Sequence, residues 1–354
     1  MRLVLTSDFH IHPYRQCSRD GGRDRLLDGL SCLRQSLDLA RAVMNERSGG
    51  SAPSDMSERT VWVFAGDLKM PRTAWPQDAL TGVHEILREY DDVDKIMVAG
   101  NHDATALGGT GLSPFKDVAT VVERVDDVDG LLCVPWNGSL ERVRALQQTA
   151  GRRLTIVAHA FLAGCLLGPE DVRIAKGAAV ADYGDFPVAF FGDVHKGQWR
   201  RPATTTSVTR PATWLAYEQS ARLLTSPFET LYEFTAREDG EILVRKPGPW
   251  DGGVYYCGSP YQQSFGERSD PPKGALVADT RTGEIRLHPF TSPKFVCVEA
   301  STERELEVFM RDKKQFAGDF VRVIYSGPPS MILRAAQLVG DAFRSYEFIV
   351  RRTV

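Results

Sequence analysis

Along the first half of the chain, short apolar runs recur, and each stops in a polar cluster. Residues 3–5 lead into Thr-Ser-Asp8-Phe-His10, 61–64 into Ala-Gly-Asp67, and 96–98 into Ala-Gly-Asn101-His-Asp. Residues 154–157 lead into Ala-His159, and 188–191 into Gly-Asp193-Val-His195. Runs this short, rich in β-branched or aromatic residues and bounded by Gly or polar residues, read as buried strands. Between them Leu26, Leu27, Leu30, Leu33, Leu37, Leu39 and Val43 form an apolar stripe at helical spacing, which predicts a helix over 25–45. A second helix is expected over 75–90. Strands alternating with helices predict an α/β layered fold. In such folds ligands gather beyond the carboxyl ends of strands, and every polar cluster above falls at such an end.

Residues 45–58 contain Ser-Gly-Gly-Ser-Ala-Pro-Ser and read as a surface loop. Residues 198–217 read as a loop excursion, with 213–217 as an alternative edge strand. Alternation over 231–245 predicts a hairpin turning at Glu238-Asp-Gly, and 254–257 and 275–279 predict further strands. Near Thr291-Ser-Pro-Lys the pattern changes to strand (295–299), helix (302–313), strand (320–325), helix (330–343) and strand (347–352). That is an α+β unit of about 60 residues, small for independent stability, so docking on the rest of the chain is expected. The reading is therefore two domains, 1–290 and 291–354, which suits a length of 354 residues.

Composition narrows the picture modestly. Hydrophobic residues make up 42% and charged residues 25%, enough for a sizeable core. A net charge of -3 excludes a uniformly basic surface but leaves room for a local basic groove on nucleic acid. The six cysteines lack any C-x-x-C spacing and read as scattered thiols in a reducing compartment. The N-terminus lacks a signal-peptide pattern, and no apolar run approaches the roughly 20 residues of a membrane helix. The expectation is the cytoplasm, or the host cytoplasm if the chain is phage-encoded, with no membrane contact.

The polar clusters carry the chemistry. At a strand end residues i and i+2 point the same way, so Asp8 and His10 converge, a pairing that suits Mn, Fe or Zn better than Ca. On spacing alone a polar turn explains Asp8-Phe-His10, and a turn start explains Gly66-Asp67. Gly100-Asn-His-Asp103 is more specific: Asn101 offers a neutral oxygen, and His102 can reach a leaving alkoxide as general acid. A helix N-cap explains Asn101 or Asp103 but not the group. His159 alone reads as a core histidine, while Asp193 and His195 repeat the i, i+2 geometry. Five clusters at five strand ends suit two divalent ions with one shared carboxylate, able to clamp a phosphoryl centre. His12 continues the alternation, and its expected role is to support the site or a substrate phosphate.

In order and spacing, D-x-H, G-D, G-N-H-D, a later lone His and a final G-x-x-H resemble the calcineurin-like metallophosphoesterases over roughly the first 200 residues. Gly192-Asp-Val-His-Lys-Gly-Gln resembles the last metal motif of SbcD-type (Mre-type) DNA repair exonucleases. Tyr256-Cys-Gly-Ser-Pro-Tyr-Gln-Gln-Ser-Phe-Gly-Glu267 looks like a later segment of theirs, and the closing α+β unit is similar to their capping domain. A phage-type recombination nuclease subunit of the same family is a further comparison. The resemblance implies a β-sandwich flanked by helices with a small C-terminal α+β capping domain. It implies that Asp8, His10, Asp67 and His195 hold one ion and that Asp67, Asn101, His159 and Asp193 hold the other. His102 would be the general acid or transition-state stabiliser. It further implies a DNA nuclease using two divalent ions, Mn2+ foremost and Mg2+ as the alternative, cutting 3′-to-5′ on duplex ends and endonucleolytically on single strands. Its implied partners are DNA, an SbcC-type coiled-coil ATPase and a second copy in a homodimer.

Two features depart from that pattern. Asp193 stands where the relatives carry the first His of G-H-x-H, which adds negative charge and favours Mn or Mg over Zn. The longer tail with which many relatives grip the ATPase is also missing. For DNA backbone contacts the basic residues beside the motifs are the candidates, Arg15 with Arg19, Arg23 and Arg25, and Lys196 with Arg200 and Arg201. Solvated surface charge explains them equally well. Tyr256, Tyr261 and Phe265 read as packing residues before groove-lining ones. Two other functions fit the same residues: a phosphatase or phosphodiesterase on a non-DNA substrate, and a non-catalytic scaffold for DNA ends or an ATPase.

Overall fold

A computed structural model describes residues 1–13, 23–48, 59–70, 75–106, 108–167, 172–202, 228–230, 235–236, 242–245, 248, 252–267, 272–311, 316, 318–342 and 346–351. The first strands and helices are β1 (Arg2–Thr6), α1 (Arg23–Ser48), β2 (Thr60–Phe64), α2 (Gln77–Glu89) and β3 (Asp94–Val98). Then come β4 (Thr120–Val122), β5 (Asp126–Val128), β6 (Leu131–Val134), α3 (Leu140–Thr149) and β7 (Thr155–His159). They are followed by β8 (Leu166–Leu167), β9 (Val172–Arg173), β10 (Val188–Gly192), β11 (Gln198–Pro202), β12 (Phe228–Thr230) and β13 (Thr235–Ala236). Next are β14 (Ile242–Arg245), β15 (Gly253–Tyr256), β16 (Gly274–Asp279) and β17 (Ile285–Pro289). The chain closes with β18 (Phe295–Ala300), α4 (Glu303–Arg311), β19 (Phe320–Tyr325), α5 (Ile332–Ala342) and β20 (Tyr346–Val350).

Two large mixed sheets face each other. One has the order β13-β14-β17-β16-β1-β2-β3-β4 and the other β12-β11-β15-β10-β7-β6-β5. The parallel strands β1 to β4 stand together in the first sheet, and β6, β7, β10 and β15 in the second. Alternation along each strand decides the layers. Leu3, Leu5, Val61, Val63, Ile96 and Val98 meet Cys133, Val157, Val188, Phe190 and Tyr255 between the sheets. Their neighbours of opposite parity, Val4, Trp62, Phe64 and Met97, pack under α1 and α2. On the far side Leu132, Ile156, Ala189 and Phe191 cover Val143 of α3. The order of layers is helix, sheet, sheet, helix. Trp62 Nε1 donates to Ser36 Oγ at 3.0 Å and fixes α1 on β2. Because both large sheets are covered on both faces, their central strands read as continuous apolar runs.

All five strands expected at the motifs are present, as are both helices between them. Residues 198–202 differ from expectation: they form β11, paired antiparallel with β15 and β12, rather than a loop. Part of the reason is Gln198, whose side-chain amide exchanges hydrogen bonds with the Leu166 backbone at 2.9 and 3.0 Å. A polar residue thus does structural work at a buried position. Residues 213–217, most of 45–58 and the turn at 238–240 lie outside the described residues, although β13 and β14 pair antiparallel across that turn. The C-terminal elements follow the expected order and form a separate parallel sheet, β18-β19-β20, around Leu306, Val321, Val323, Tyr325, Ala335 and Val339. This unit meets the rest through Phe265, Phe295 and Phe320.

Arg25 completes that contact. It is 2% exposed, lies over the rings of Tyr261, Phe295 and Phe320, and donates to Gln262 O. It is therefore a packing residue and not the surface phosphate contact expected of it. Cys32, Cys133, Cys165 and Cys257 are buried thiols outside any disulfide. Among the described residues no helix is long and apolar enough to cross a membrane.

Candidate metal centre

Five strand ends, β1, β2 and β3 of one sheet and β7 and β10 of the other, deliver side chains to one place. Each chain segment must turn sharply there. Asp8, His10, Asp67 and Asp193 all have positive φ, at 54°, 46°, 66° and 79°. Non-glycine residues in that region are strained and concentrate at functional sites. The turns are held together by main-chain bonds that extend the β1–β2 pairing: Asp8 N donates to Gly66 O at 2.8 Å and His10 N to Asp67 O at 3.0 Å. Gly66 has φ +97°, and a Cβ on it would lie 2.1 Å from His159 Nδ1. A Cβ on Gly100 would lie 2.2 Å from Asp67 Oδ1. Only glycine lets these backbones come so close to the ligand side chains.

Three overlapping groups have ligand atoms within 4.8 Å of one another: Asp8–His10–His195, His10–Asp67–His102 and Asp8–Asp67–His159. Asp8, His10, Asp67 and His159 are buried. His10 and His195 point Nε2 at each other 2.9 Å apart. Two nitrogens each ~2.1 Å from one cation, at a right angle to each other, would be separated by about that much. His159 donates from Nδ1 to Ala65 O at 2.7 Å, which turns Nε2 towards Asp67 Oδ1 at 3.3 Å and Asp193 Oδ1 at 3.6 Å. Among the described residues, His159 Nε2 and Asn101 Oδ1 are buried with no hydrogen-bond partner. Buried polar atoms left in this state are costly unless something satisfies them. Carboxylate and imidazole donors gathered within 4.8 Å of one another fit divalent cations.

Electrostatics agree. Burial pushes the Asp8 carboxyl up to about 6 against the pull of His195 and His159. Burial, then the neighbouring His195, drives the His10 imidazole down to about 3. Burial would also raise Asp67, but His159 and His10 hold it at about 2. At His159 burial is outweighed by Asp67 and Asp193, so the ring binds its proton well above the usual value. A cluster of buried carboxylates thus draws positive charge inward.

His102 stands at the rim, its side chain 30% exposed. Its main-chain N–H donates to Asp67 Oδ1 at 2.7 Å. Its Nδ1 meets the Met70 carbonyl, so Nδ1 carries the proton, and Nε2 lies 3.9 Å from Asp67 Oδ2.

Two groups that organise the site escaped the sequence reading. Asp103, fully buried, accepts from the main-chain N–H of Asp67, Leu68 and Gly100 at 2.9–3.0 Å and ties the β2 and β3 turns together. Burial first, and Asp67 second, push its carboxyl up to about 7. The capping alternative had the chemistry but not the partner: Asp103 caps a loop 35 residues away. Glu267, the last residue of the Gly-Ser-Pro segment, reaches His195 Nδ1 at 3.1 Å. Gln263 of the same segment donates to Asp8 O at 2.6 Å.

Of the remaining candidates, His12 is half-buried and outside the three groups, and burial lowers its pKa. Lys196 is 8% exposed, too enclosed to present its side chain freely. Arg200 lies on β11, with its side chain outside the described residues, and Arg15 is outside them altogether. Tyr256, Tyr261 and Phe265 are buried packing residues; the first two hydroxyls donate to Ala160 O and Phe9 O.

Fold and site together define an α/β protein with a buried His/Asp cluster suited to divalent metal. No protein-family model matches the chain, and no curated protein matches it. Its functional reading rests on the geometry and on the motifs.

Proposed function

We propose that this chain is a two-metal phosphodiesterase of the calcineurin-like metallophosphoesterase type, acting on DNA as a nuclease and using Mn2+ before Mg2+. The observation that carries the reading is the convergence of Asp8, His10, Asp67, His102, His159 and His195 from five strand ends, with Asp193 Oδ1 3.6 Å from His159 Nε2; Asn101, next to His102 in the chain, has its Oδ1 buried. These residues would hold the cations, which when bound supply Lewis-acid stabilisation of a phosphoryl group and activation of water. The protein's own contribution is positional. Asp8 and Asp67 each lie in two of the three groups, and the motif resemblance favours Asp67 as the shared carboxylate. His102, anchored at Nδ1, presents Nε2 as the atom that holds a proton for the departing oxygen. DNA is favoured over a small phosphomonoester by the motif resemblance and by the C-terminal unit packed against the Tyr256–Glu267 segment.

End-labelled linear duplex DNA and p-nitrophenyl phosphate, assayed side by side with Mn2+, Mg2+ and Zn2+, test this reading. DNA cleavage stimulated by Mn2+ is expected. His102→Ala is expected to lower it by about 10²–10⁴-fold, the usual contribution of a general acid, with metal still bound. Strong monoester turnover with inert DNA supports a phosphatase instead. DNA cleavage surviving in an Asp67→Ala/His102→Ala double variant overturns the mechanism.

A further inference from the structure

The metal-facing histidines are aimed in different ways. His159 and His102 each lean on a nearby main-chain carbonyl, Ala65 and Met70 respectively. His195 follows the end of β10 on a loop, with its side chain 35% exposed, and leans on a carboxylate 72 residues further on. We propose that Glu267 is a positioning residue of the metal centre, orienting the His195 ring so that Nε2 faces the cation site. The proposal rests on the metal-binding reading given above.

Three observations carry it. First, the contact is directional: Glu267 Oε1 meets His195 Nδ1 at 3.1 Å, which leaves Nε2 on the side of His10. Second, Glu267 is itself immobilised. Its Oε2 accepts from Lys273 Nζ at 2.9 Å, Ser259 Oγ at 3.1 Å and Gln263 N at 3.4 Å. Lys273 Nζ also donates to His195 O at 2.6 Å, so one buried ion pair grips both the ring and the backbone of His195. Third, the turn that bears Glu267 is wedged in place by Phe265, whose ring meets Phe295 at 4.9 Å and lies under the Arg322 guanidinium at 3.9 Å. A buried ion pair is weak evidence for stability, because well-packed apolar residues often replace one without loss. The chemistry of Glu267 matters where an apolar residue fails, and that is at the imidazole N–H. A carboxylate accepting this proton fixes the tautomer and strengthens the other nitrogen as a ligand.

The test compares Glu267→Gln and Glu267→Asp with the wild-type full chain by Mn2+ titration, with the apo melting temperature measured in parallel. Gln keeps the reach to His195 but removes the negative charge paired with Lys273. Asp keeps the charge but withdraws the acceptor by one methylene. The wild type is expected to bind two ions. In both variants one ion is expected to bind as before and the other ~10–100-fold more weakly, with Asp losing more affinity than Gln. The melting temperature is expected to run the other way, with Gln lower than Asp. Wild-type binding of both ions in both variants overturns the proposal, as does affinity that merely tracks melting temperature. A wild type that binds no Mn2+ overturns the metal reading itself, a separate failure.

Discussion

Asp103 is the clearest case of a side chain whose importance lies in what it accepts. Its carboxylate is fully buried and accepts from four main-chain N–H groups of two different turns. Removing it leaves those donors buried without partners, at about 1–3 kcal/mol each. Asp103→Ala is therefore expected to destabilise the protein by on the order of 3 kcal/mol in thermal or denaturant unfolding; a loss under about 1 kcal/mol contradicts the role. At this scale the sequence was legible for groups that declare themselves by local spacing. Asp8 and His10, or Asp193 and His195, converge because alternate residues share a side. Asp103 and Glu267 were not legible, because their partners are set by tertiary packing 35 and 72 residues away. Nothing near Glu267 in the chain indicates that it reaches His195.

At the scale of elements, the parallel strands aim the site and the glycines after them permit the approach. Gly100 is the more demanding position, since a Cβ there meets both Asp67 Oδ1 and Asp67 N, at 2.2 and 2.3 Å. Gly100→Ala is expected to push Asp67 aside, weaken Mn2+ binding at least tenfold and cost about 1–3 kcal/mol, as overpacking does. Calorimetric titration checks the first and thermal unfolding the second; unchanged affinity contradicts the close-packed account. The strands behind these turns were readable because burial on both faces leaves uninterrupted apolar runs. The strand β11 was not, since Arg200, Arg201 and Pro202 break the apolar pattern and Gln198 supplies pairing through its side chain. Strand β6, wholly buried beside β7, is an apolar run that ends at Pro135 and leads into no ligand cluster to mark it.

At the scale of the whole molecule, the C-terminal unit and the metal centre share a seam. Arg25 of α1 sits in it against Tyr261, Phe295 and Phe320, ion-paired with Asp28 at 3.2 Å. Arg25→Ala removes the packing as well as the charge. It is expected to cost about 2–4 kcal/mol and to open a protease-sensitive point near Phe295; unaltered melting and digestion contradict the seam. The Tyr256–Glu267 segment joins the two parts, with Gln262 accepting from Phe295 N and Gln263 donating to Asp8 O. The same stretch of chain thus touches the C-terminal sheet and a metal-facing aspartate.

All of this depends on the buried carboxylates and imidazoles being a cation site rather than a polar core. Titration of the metal-free protein with Mn2+, followed by metal content after gel filtration, measures that directly. The account predicts two ions for the wild type and the loss of at least one in Asp67→Ala with the fold intact. No saturable uptake by well-folded wild-type protein would contradict it.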